Sequence, residues 1–586
     1  MTRRPDSASD LRSTLNGLDG AGYGAYKKLR GSHRLHTTSG TPVTLSIDKV
    51  QADPFAPPSL IQASVPWSAT GIPGDASGEV PLRDHLTRRV ATALRAHNPS
   101  GGKGAGFLSV DAPGQQVLDR SSVAVEPAGR AGQDAHLTVR LEAAMPAQGR
   151  RIRGRAAATL LCEVLPAVVQ DALLDLDTPS LDALAQARRT YRDQEFLRSW
   201  LGGEGLVGFV ADGSVLPRAA GNSQRPLTSA VPFEAPESLR HTVTLPSGRT
   251  VSGLGVPTGV TLIVGGGYHG KSTLLNALEL GIYNHVPGDG REFAVTDADS
   301  VALRAEDGRP VTDVDISAFL HDLPGGTSGR TPDTSCFSTT NASGSTSQAA
   351  GLVEAVDSGA TTLLIDEDTS ATNFMIRDDR MRTLVPAAKE PITPLVDRAR
   401  SLHDDLGVST VLVAGGSGMF IDVADTVIML DGYRPVDVTA RAAELAEPAG
   451  RTEPMRRPAP RTLARASFSS PGRGGKGPRP PQAKGLHTVR AGGKSDEDHI
   501  DLAAWSQLVD SSQTNAIAAA LAGLDLDGAT PLVELVDEVV ARVDHDGLDV
   551  LSTHGAGRHP GHLAGVRRHE IAAAVNRYRG LRATRA

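Results

Sequence analysis

Cysteine is nearly absent from this chain of 586 residues. Cys162 and Cys336 stand far apart with no C-x-x-C spacing, which excludes a disulfide framework and a cysteine zinc site. Two reduced, unpaired thiols in a reducing compartment are the expectation. Seventeen histidines show no H-E-x-x-H or paired spacing, so a histidine metal centre is not indicated either. Excess positive charge is also lacking: the formal net charge is −7, and any grip on nucleic acid has to come from local clustering rather than from the chain as a whole. Aromatics are only 4%, while Gly and Pro are plentiful, so loops should be numerous. The start, Met1-Thr-Arg-Arg-Pro-Asp-Ser7, carries positive charge without an apolar stretch behind it, and no run reads as a membrane span. The expectation is a soluble, cytoplasmic protein with no membrane partner.

What is present is length enough for three or four domains, each with its own core. Residues 1–155 read as short strands and turns, as in Thr41 to Asp48 and Ala135 to Leu141, and make an α+β domain. From Ala156 to about Trp200 apolar residues recur at helical spacing, through Leu160, Leu161, Val164, Leu165, Val168 and Val169. This segment is expected to pack on the domain that follows, where strands and helices alternate, so 156–450 is taken together as an α/β nucleotide-binding domain. Residues 451–494 turn to Arg, Lys, Pro and Gly, with eleven basic residues against one acid. Such a linker should be extended or disordered. Helical periodicity returns over 495–586, a small, mainly helical C-terminal domain.

Gly265 to Thr273, GGGYHGKST, fits G-x-x-x-x-G-K-[ST] and lies between an apolar strand, Val260 to Val264, and a helix start. A polyphosphate needs inward N–H groups with no Cβ in the way, a cation against its terminal phosphates and a hydroxyl for Mg²⁺. Gly265, Gly266, Gly267, Tyr268, His269 and Gly270 supply the loop, Lys271 the cation, Ser272 the metal-facing hydroxyl, and Thr273 continues into the helix. A glycine-rich turn ahead of a chance Lys-Ser pair is the bland alternative. The strand-loop-helix context argues against it.

The second half of such a site is Thr361 to Asn373. An apolar strand delivers Asp366 to the Mg²⁺ side, and Glu367 follows as general base for the attacking water. A solvated acidic turn is the alternative there. Upstream, Asn341 to Gln348 is small and polar ahead of a helix over Ala349 to Val356, and its Ser343, Gly344 and Ser345 form a second anion site at a helix N-terminus or a simple N-cap. Ser343 precedes Asp366 by twenty-three residues, the spacing of the signature serine from the Walker B aspartate in ATP-binding-cassette proteins.

On these residues the chain resembles the ABC-class ATPases, in which a Leu-Ser-Gly-Gly-Gln signature of one protomer caps ATP held by the other. Asp366-Glu-Asp-Thr-Ser-Ala-Thr-Asn373 is similar to that family's Asp-Glu-Pro-Thr-Ser-Ala-Leu-Asp. GGGYHGKSTLL, YNHVPGDGRE, NASGSTSQAA and DEDTSATNFMIRD, with Asp19 to Lys27 and Ile47 to Pro58 near the start, resemble more narrowly the non-transporter "predicted ATPase of the ABC class" group. The resemblance covers most of the chain. It implies ATP and Mg²⁺ as cofactors, a homodimer closed by the signature in trans, and, through relatives associated with mitochondrial RNA-editing complexes, nucleic acid with RNA favoured. The sequence also departs from the family. Gly344-Ser345-Thr346 stands where Gly-Gly-Gln is expected, and Gly416 or Ser417 where a switch histidine is expected. Arg240 to Leu245 offers no adenine-stacking aromatic, and the Q-loop glutamine is not placed. The expected function is an ATPase, slow for want of the histidine, that closes as a dimer and clamps RNA. An ATP-dependent switch acting on a protein partner is the alternative.

Overall fold

The computed structural model describes residues 8–74, 77–100, 104–127, 134–324, 331–386, 389–447, 454–464, 468–469, 479–492, 498–552, 554–555 and 557–583. The chain divides into two compact units, 1–188 with 546–565, and 189–545 with 566–586.

The first unit is built on an antiparallel sheet of β1 (Gly31–His36), β2 (Pro42–Lys49), β3 (Ser59–Pro66), β4 (Phe107–Ser109), β5 (Val123–Glu126) and β6 (His136–Ala144), in the order β1-β2-β3-β6-β4 with β5 also on β6. Apolar residues alternate along β2, where Val43, Leu45 and Ile47 are buried between exposed or half-buried neighbours, because only one face of the pleat meets the core. Helix α1 (Val80–His97) and the continuous helical stretch α2 (Gly154–Leu174) belong to this unit. Leu160, Leu161, Leu165, Val168 and Val169, expected to face the nucleotide domain, are instead buried in the first unit's core beside Leu45, Leu86 and Leu141. By length and composition α2 could also cross a bilayer, contrary to the reading that no run is long enough, but 67% of its apolar window is buried inside the protein, as in a core helix.

A late segment closes the same unit. Asp549 accepts from Arg140 Nη1 at 2.7 Å, the His559 N–H donates to Asp48 Oδ2 at 2.7 Å, and the Leu563 N–H donates to Ser121 Oγ at 2.9 Å. Residues more than 400 positions apart thus share one core region, a placement that hydrophobic periodicity does not encode.

Two larger sheets lie in the second unit. One is antiparallel, β8 (Arg240–Thr244), β9 (Thr250–Pro257), β7 (Leu206–Ala211) and β11 (Ala294–Thr296), in that spatial order. The other runs β12 (Ser300–Leu303), β13 (Thr362–Asp366), β14 (Ser409–Val413), β10 (Val260–Gly265), β15 (Thr426–Asp431) and β16 (Arg434–Asp437). Its first five strands are parallel, and β16 returns antiparallel along the edge. Both faces are covered, which explains why these strands read as continuous apolar runs. Ile263, Leu364, Val411 and Ile428 pack against Leu274, Leu275 and Leu278 of α3 (Lys271–Leu280). Leu262, Leu363, Ile365 and Leu412 share the other core with Ala349, Leu352, Val353 and Val356 of α4 (Gly344–Asp357).

The C-terminal part is mostly helical, with α5 (Ser511–Gly523), α6 (Leu532–Asp546) and α7 (Arg568–Asn576) beside a small three-stranded sheet. Within 451–494, residues 451–453, 465–467, 470–478 and 493–494 lie outside the described residues. The described parts correct the expectation of an extended spacer: Met455, Leu463, Phe468 and Val489 are buried. Arg461 is buried too, its Nε 3.2 Å from Asp357 Oδ2 and its Nη2 3.1 Å from Asn576 Oδ1. Apolar residues scattered among the prolines find partners only in the folded unit.

Candidate nucleotide site

In an open parallel sheet, ligands bind beyond the carboxyl ends of the strands. Strand order puts β14 between β13 and β10, so the loops that follow these three strands are neighbours. The loop after β10 turns sharply. Gly265 has φ 144°, and a Cβ there would lie 2.5 Å from the Leu430 carbonyl oxygen; Gly270 caps α3 at φ 98°. Tyr268 also has a positive φ of 65° and is fully exposed. His269 places Nδ1 3.2 Å from both the Leu430 oxygen and the Gly432 nitrogen, tying the loop to the turn after β15.

Lys271 Nζ donates to the carbonyl oxygens of Gly265 at 2.8 Å and Gly266 at 3.0 Å, which holds the ammonium over the loop. Ser272 is exposed and its hydroxyl has no hydrogen-bond partner among the described residues. Asp366, at the end of β13, accepts from the Asp368 N–H through Oδ1 at 3.1 Å, which leaves its other carboxylate oxygen without a protein donor among the described residues. A hydroxyl and a single carboxylate are hard oxygen donors of the kind Mg²⁺ takes when phosphates and water complete its shell. Among the described residues no cluster of three or more His, Cys, Asp or Glu side chains could cage a metal alone.

Glu367 Oε2 accepts from the N–H groups of Gly415 at 2.7 Å and Gly416 at 3.0 Å. A Cβ built on Gly415 would lie 3.8 Å from Lys271 Cε. Lys271 and Glu367, ninety-six positions apart, therefore meet at the Gly415-Gly416 turn. Backbone amides occupy the place where the family resemblance leads one to seek a histidine.

Ser343, Gly344 and Ser345 stand apart from this cluster. Ser343 is the N-cap of α4, its Oγ 3.4 Å from the Thr346 N–H, and Ser345 Oγ donates to Asn373 Oδ1 at 2.6 Å. Gln348 bonds the loop after β13, donating to Ser370 Oγ at 2.8 Å and accepting from the Ala371 N–H at 2.8 Å. The turn before α4 is thus fixed to the same loop that carries Asp366 and Glu367.

The segment just past α7 supplies further anchors that the sequence did not reveal. Arg579 donates to the Gly308 oxygen at 2.7 Å and to the Thr340 oxygen, three residues before Ser343. Arg577 Nε donates to Glu306 Oε2 at 2.9 Å, and Nη2 bonds the other carboxylate oxygen. Burial pushes the Glu306 carboxyl up, but the charge and hydrogen bonds of Arg577 outweigh it and hold the acid below its ordinary value. A lowered folded value means that the pair's contribution is complete above the ordinary glutamate range, about 4.3, and is lost as pH falls through the folded value. Glu306→Gln should therefore cost about 3 kcal/mol at pH 7, because it leaves a buried guanidinium without its counter-charge. Urea titrations should show the gap to the parent protein narrowing as the pH drops below about 4; a gap independent of pH would contradict this account.

Three family models match successive parts of the chain. Residues 8–176 match the N-terminal domain of ATPases of the ABC class, and 180–464 match the ABC ATPase P-loop domain. The chain belongs to the ABC-class P-loop ATPases. The third match is the MRB1590 C-terminal domain, over residues 481–584. This ATPase is also similar to an uncharacterized protein of Methanocaldococcus jannaschii, 29% identical over 276 residues, which is 45% of this chain and 59% of the relative. The match thus spans about three-fifths of that relative's length. The architecture agrees with these matches: a central α/β P-loop domain, an α+β domain before it and a small, mostly helical C-terminal domain.

Proposed function

We propose that this ABC-class ATPase binds Mg-ATP on the Gly265–Thr273 loop and hydrolyses it with Glu367 as base. In this reading Lys271 holds the terminal phosphates, Ser272 and Asp366 hold the metal, and two protomers close through Ser343, Gly344 and Ser345 to clamp RNA. The observation that carries it is the convergence of Lys271 and Glu367 on the Gly415-Gly416 turn. Both amides bond Glu367 Oε2, so Oε1 is the oxygen left to accept a proton from the attacking water. Two unpaired cysteines agree with a cytoplasmic setting.

RNA is favoured by the match to the MRB1590 C-terminal domain, a family tied to a mitochondrial RNA-binding complex, and by the basic stretch 451–494. Arg456, Arg457, Arg479 and Lys484 are exposed there, whereas Arg461 is engaged with Asp357. Replacing Arg456, Arg473, Lys476, Arg479 and Lys484 by Ser should weaken binding to single-stranded RNA, and the slope of log affinity against log salt should fall by about 0.7 for each cation that meets a phosphate. Nucleotide binding should be unaffected. The loss should also be nearly independent of RNA sequence, because contacts from Arg and Lys to phosphates carry no base readout. Filter binding across a salt series measures both quantities. An unchanged affinity and slope would leave this stretch with the packing role that the burial of Met455, Leu463, Phe468 and Val489 gives it, and would favour the second reading, a switch acting on a protein partner.

A further inference from the structure

The phosphate loop accounts for a polyphosphate but leaves the rest of a nucleotide without a seat. No aromatic in Arg240 to Leu245 serves: Leu245 is buried, and the His241 ring packs edge-on against Trp200 at 6.1 Å. A cavity of about 370 Å³ opens instead beside Gly270 and Thr273, the point where the loop becomes α3. Its walls are Leu216, Leu227, Val231, Phe233 and the ring of Tyr433. The volume lies in the range of small-molecule sites, and the mostly apolar lining suits a flat heterocycle.

Tyr433 is set there at a conformational cost. Asp431 and Arg434 pair across a two-residue hairpin turn, in which Gly432 has φ 53° and Tyr433 φ 71°. Both central residues thus lie in the left-handed region that a tight hairpin requires, where Gly or Asn is the usual occupant and a bulky aromatic is an outlier. The ring is half exposed, so core packing does not explain the choice. It lies against the phosphate loop, 3.3 Å from where a Gly270 Cβ would be, and His269 holds the turn to that loop. Strain kept at an exposed aromatic beside a ligand loop is the pattern of a residue retained for binding.

We infer that Tyr433 is the platform for the base of a nucleoside triphosphate, with Phe233, Leu216 and Leu227 forming the apolar wall of the base pocket. The inference rests on the proposal that the Gly265–Thr273 loop holds the polyphosphate. The aromatic then comes from the turn that follows β15, and not from the strand region before the phosphate loop.

The full-length protein, the variants Tyr433→Gly, Tyr433→Asn and Tyr433→Phe, and Lys271→Ala are titrated calorimetrically with Mg-ATP and with inorganic magnesium tripolyphosphate, which has phosphates and no base. Tyr433→Gly and Tyr433→Asn should weaken Mg-ATP about tenfold, the scale of one base–aromatic stack, and leave tripolyphosphate within about twofold. Their thermal midpoints should stay level or rise, since Gly and Asn relieve the positive φ. Tyr433→Phe should bind as the parent does. Unchanged Mg-ATP affinity in the Gly and Asn variants, with Lys271→Ala binding neither ligand, would overturn the base platform and leave the phosphate loop standing. Equal losses for ATP and tripolyphosphate would overturn it as well, because the ring would then be acting on the loop. A parent protein that binds neither ligand would remove the phosphate-loop reading and this inference together.

Discussion

Lys271→Ala is expected to raise the dissociation constant for Mg-ATP by at least about 100-fold, on the scale of removing one partner from a buried, hydrogen-bonded charge pair. The ammonium is already aimed across the loop by the Gly265 and Gly266 carbonyls, so little ordering is needed when phosphates arrive. Stability should change little, because the freed carbonyls lie where water reaches them. A direct nucleotide-binding titration on the folded variant is the measurement. Affinity equal to that of the parent would remove the phosphate loop from the proposed site.

Glu367→Gln is expected to slow hydrolysis by about 10²- to 10⁴-fold while preserving ATP affinity, since an amide cannot take the proton of the attacking water. Its carbonyl oxygen can still accept from the N–H groups of Gly415 and Gly416, which keeps the turn intact. With hydrolysis blocked and the signature acting in trans, Mg-ATP should trap a two-fold dimer holding two nucleotides. Sedimentation velocity reads this out. Adding Ser343→Arg should return the variant to a monomer with ATP still bound, because a guanidinium at that cap would fill the space a facing phosphate needs. A Glu367→Gln protein that stays monomeric at saturating Mg-ATP would count against the clamp.

Much of this protein is legible in one dimension because its key parts are contiguous. Val260 to Thr273 contains the strand, the turn glycines and the start of the helix, so each local preference points to the same structure. The strand ending at Asp366 is legible for the same reason, as is the helix after Ser343, observed as Gly344–Asp357 with Ser343 at its cap. The α/β class of the central domain also follows from the alternation of buried strands and helices.

Other parts depend on which strands become neighbours. The Gly415-Gly416 turn has no chemical side chain to mark it, and it contributes through N–H groups that reach Glu367 only because β14 lies between β13 and β10. Gln348 is two residues from where the signature glutamine was sought, yet helical geometry turns it onto Ser370 and Ala371. Tyr433 reads as an ordinary turn residue until the parallel pairing of β15 with β10 brings its hairpin to the phosphate loop. The segment 546–565 looks like part of a C-terminal domain, but its hydrogen bonds are to Asp48, Ser121 and Arg140.

The sequence by itself determined the glycine-rich loop Gly265–Thr273 between strand and helix, the strand ending at Asp366, the adjacent Glu367 and the ABC-class architecture, since each is encoded by residues close together in the chain. Tertiary structure alone decided what surrounds them: the amides that hold Glu367, Arg579 just past the C-terminal helix where it bonds the segment before Ser343, and the aromatic set beside the loop. The physical reason is that periodicity and motif spacing report which face of an element is buried, whereas strand order and long-range closure decide which elements meet.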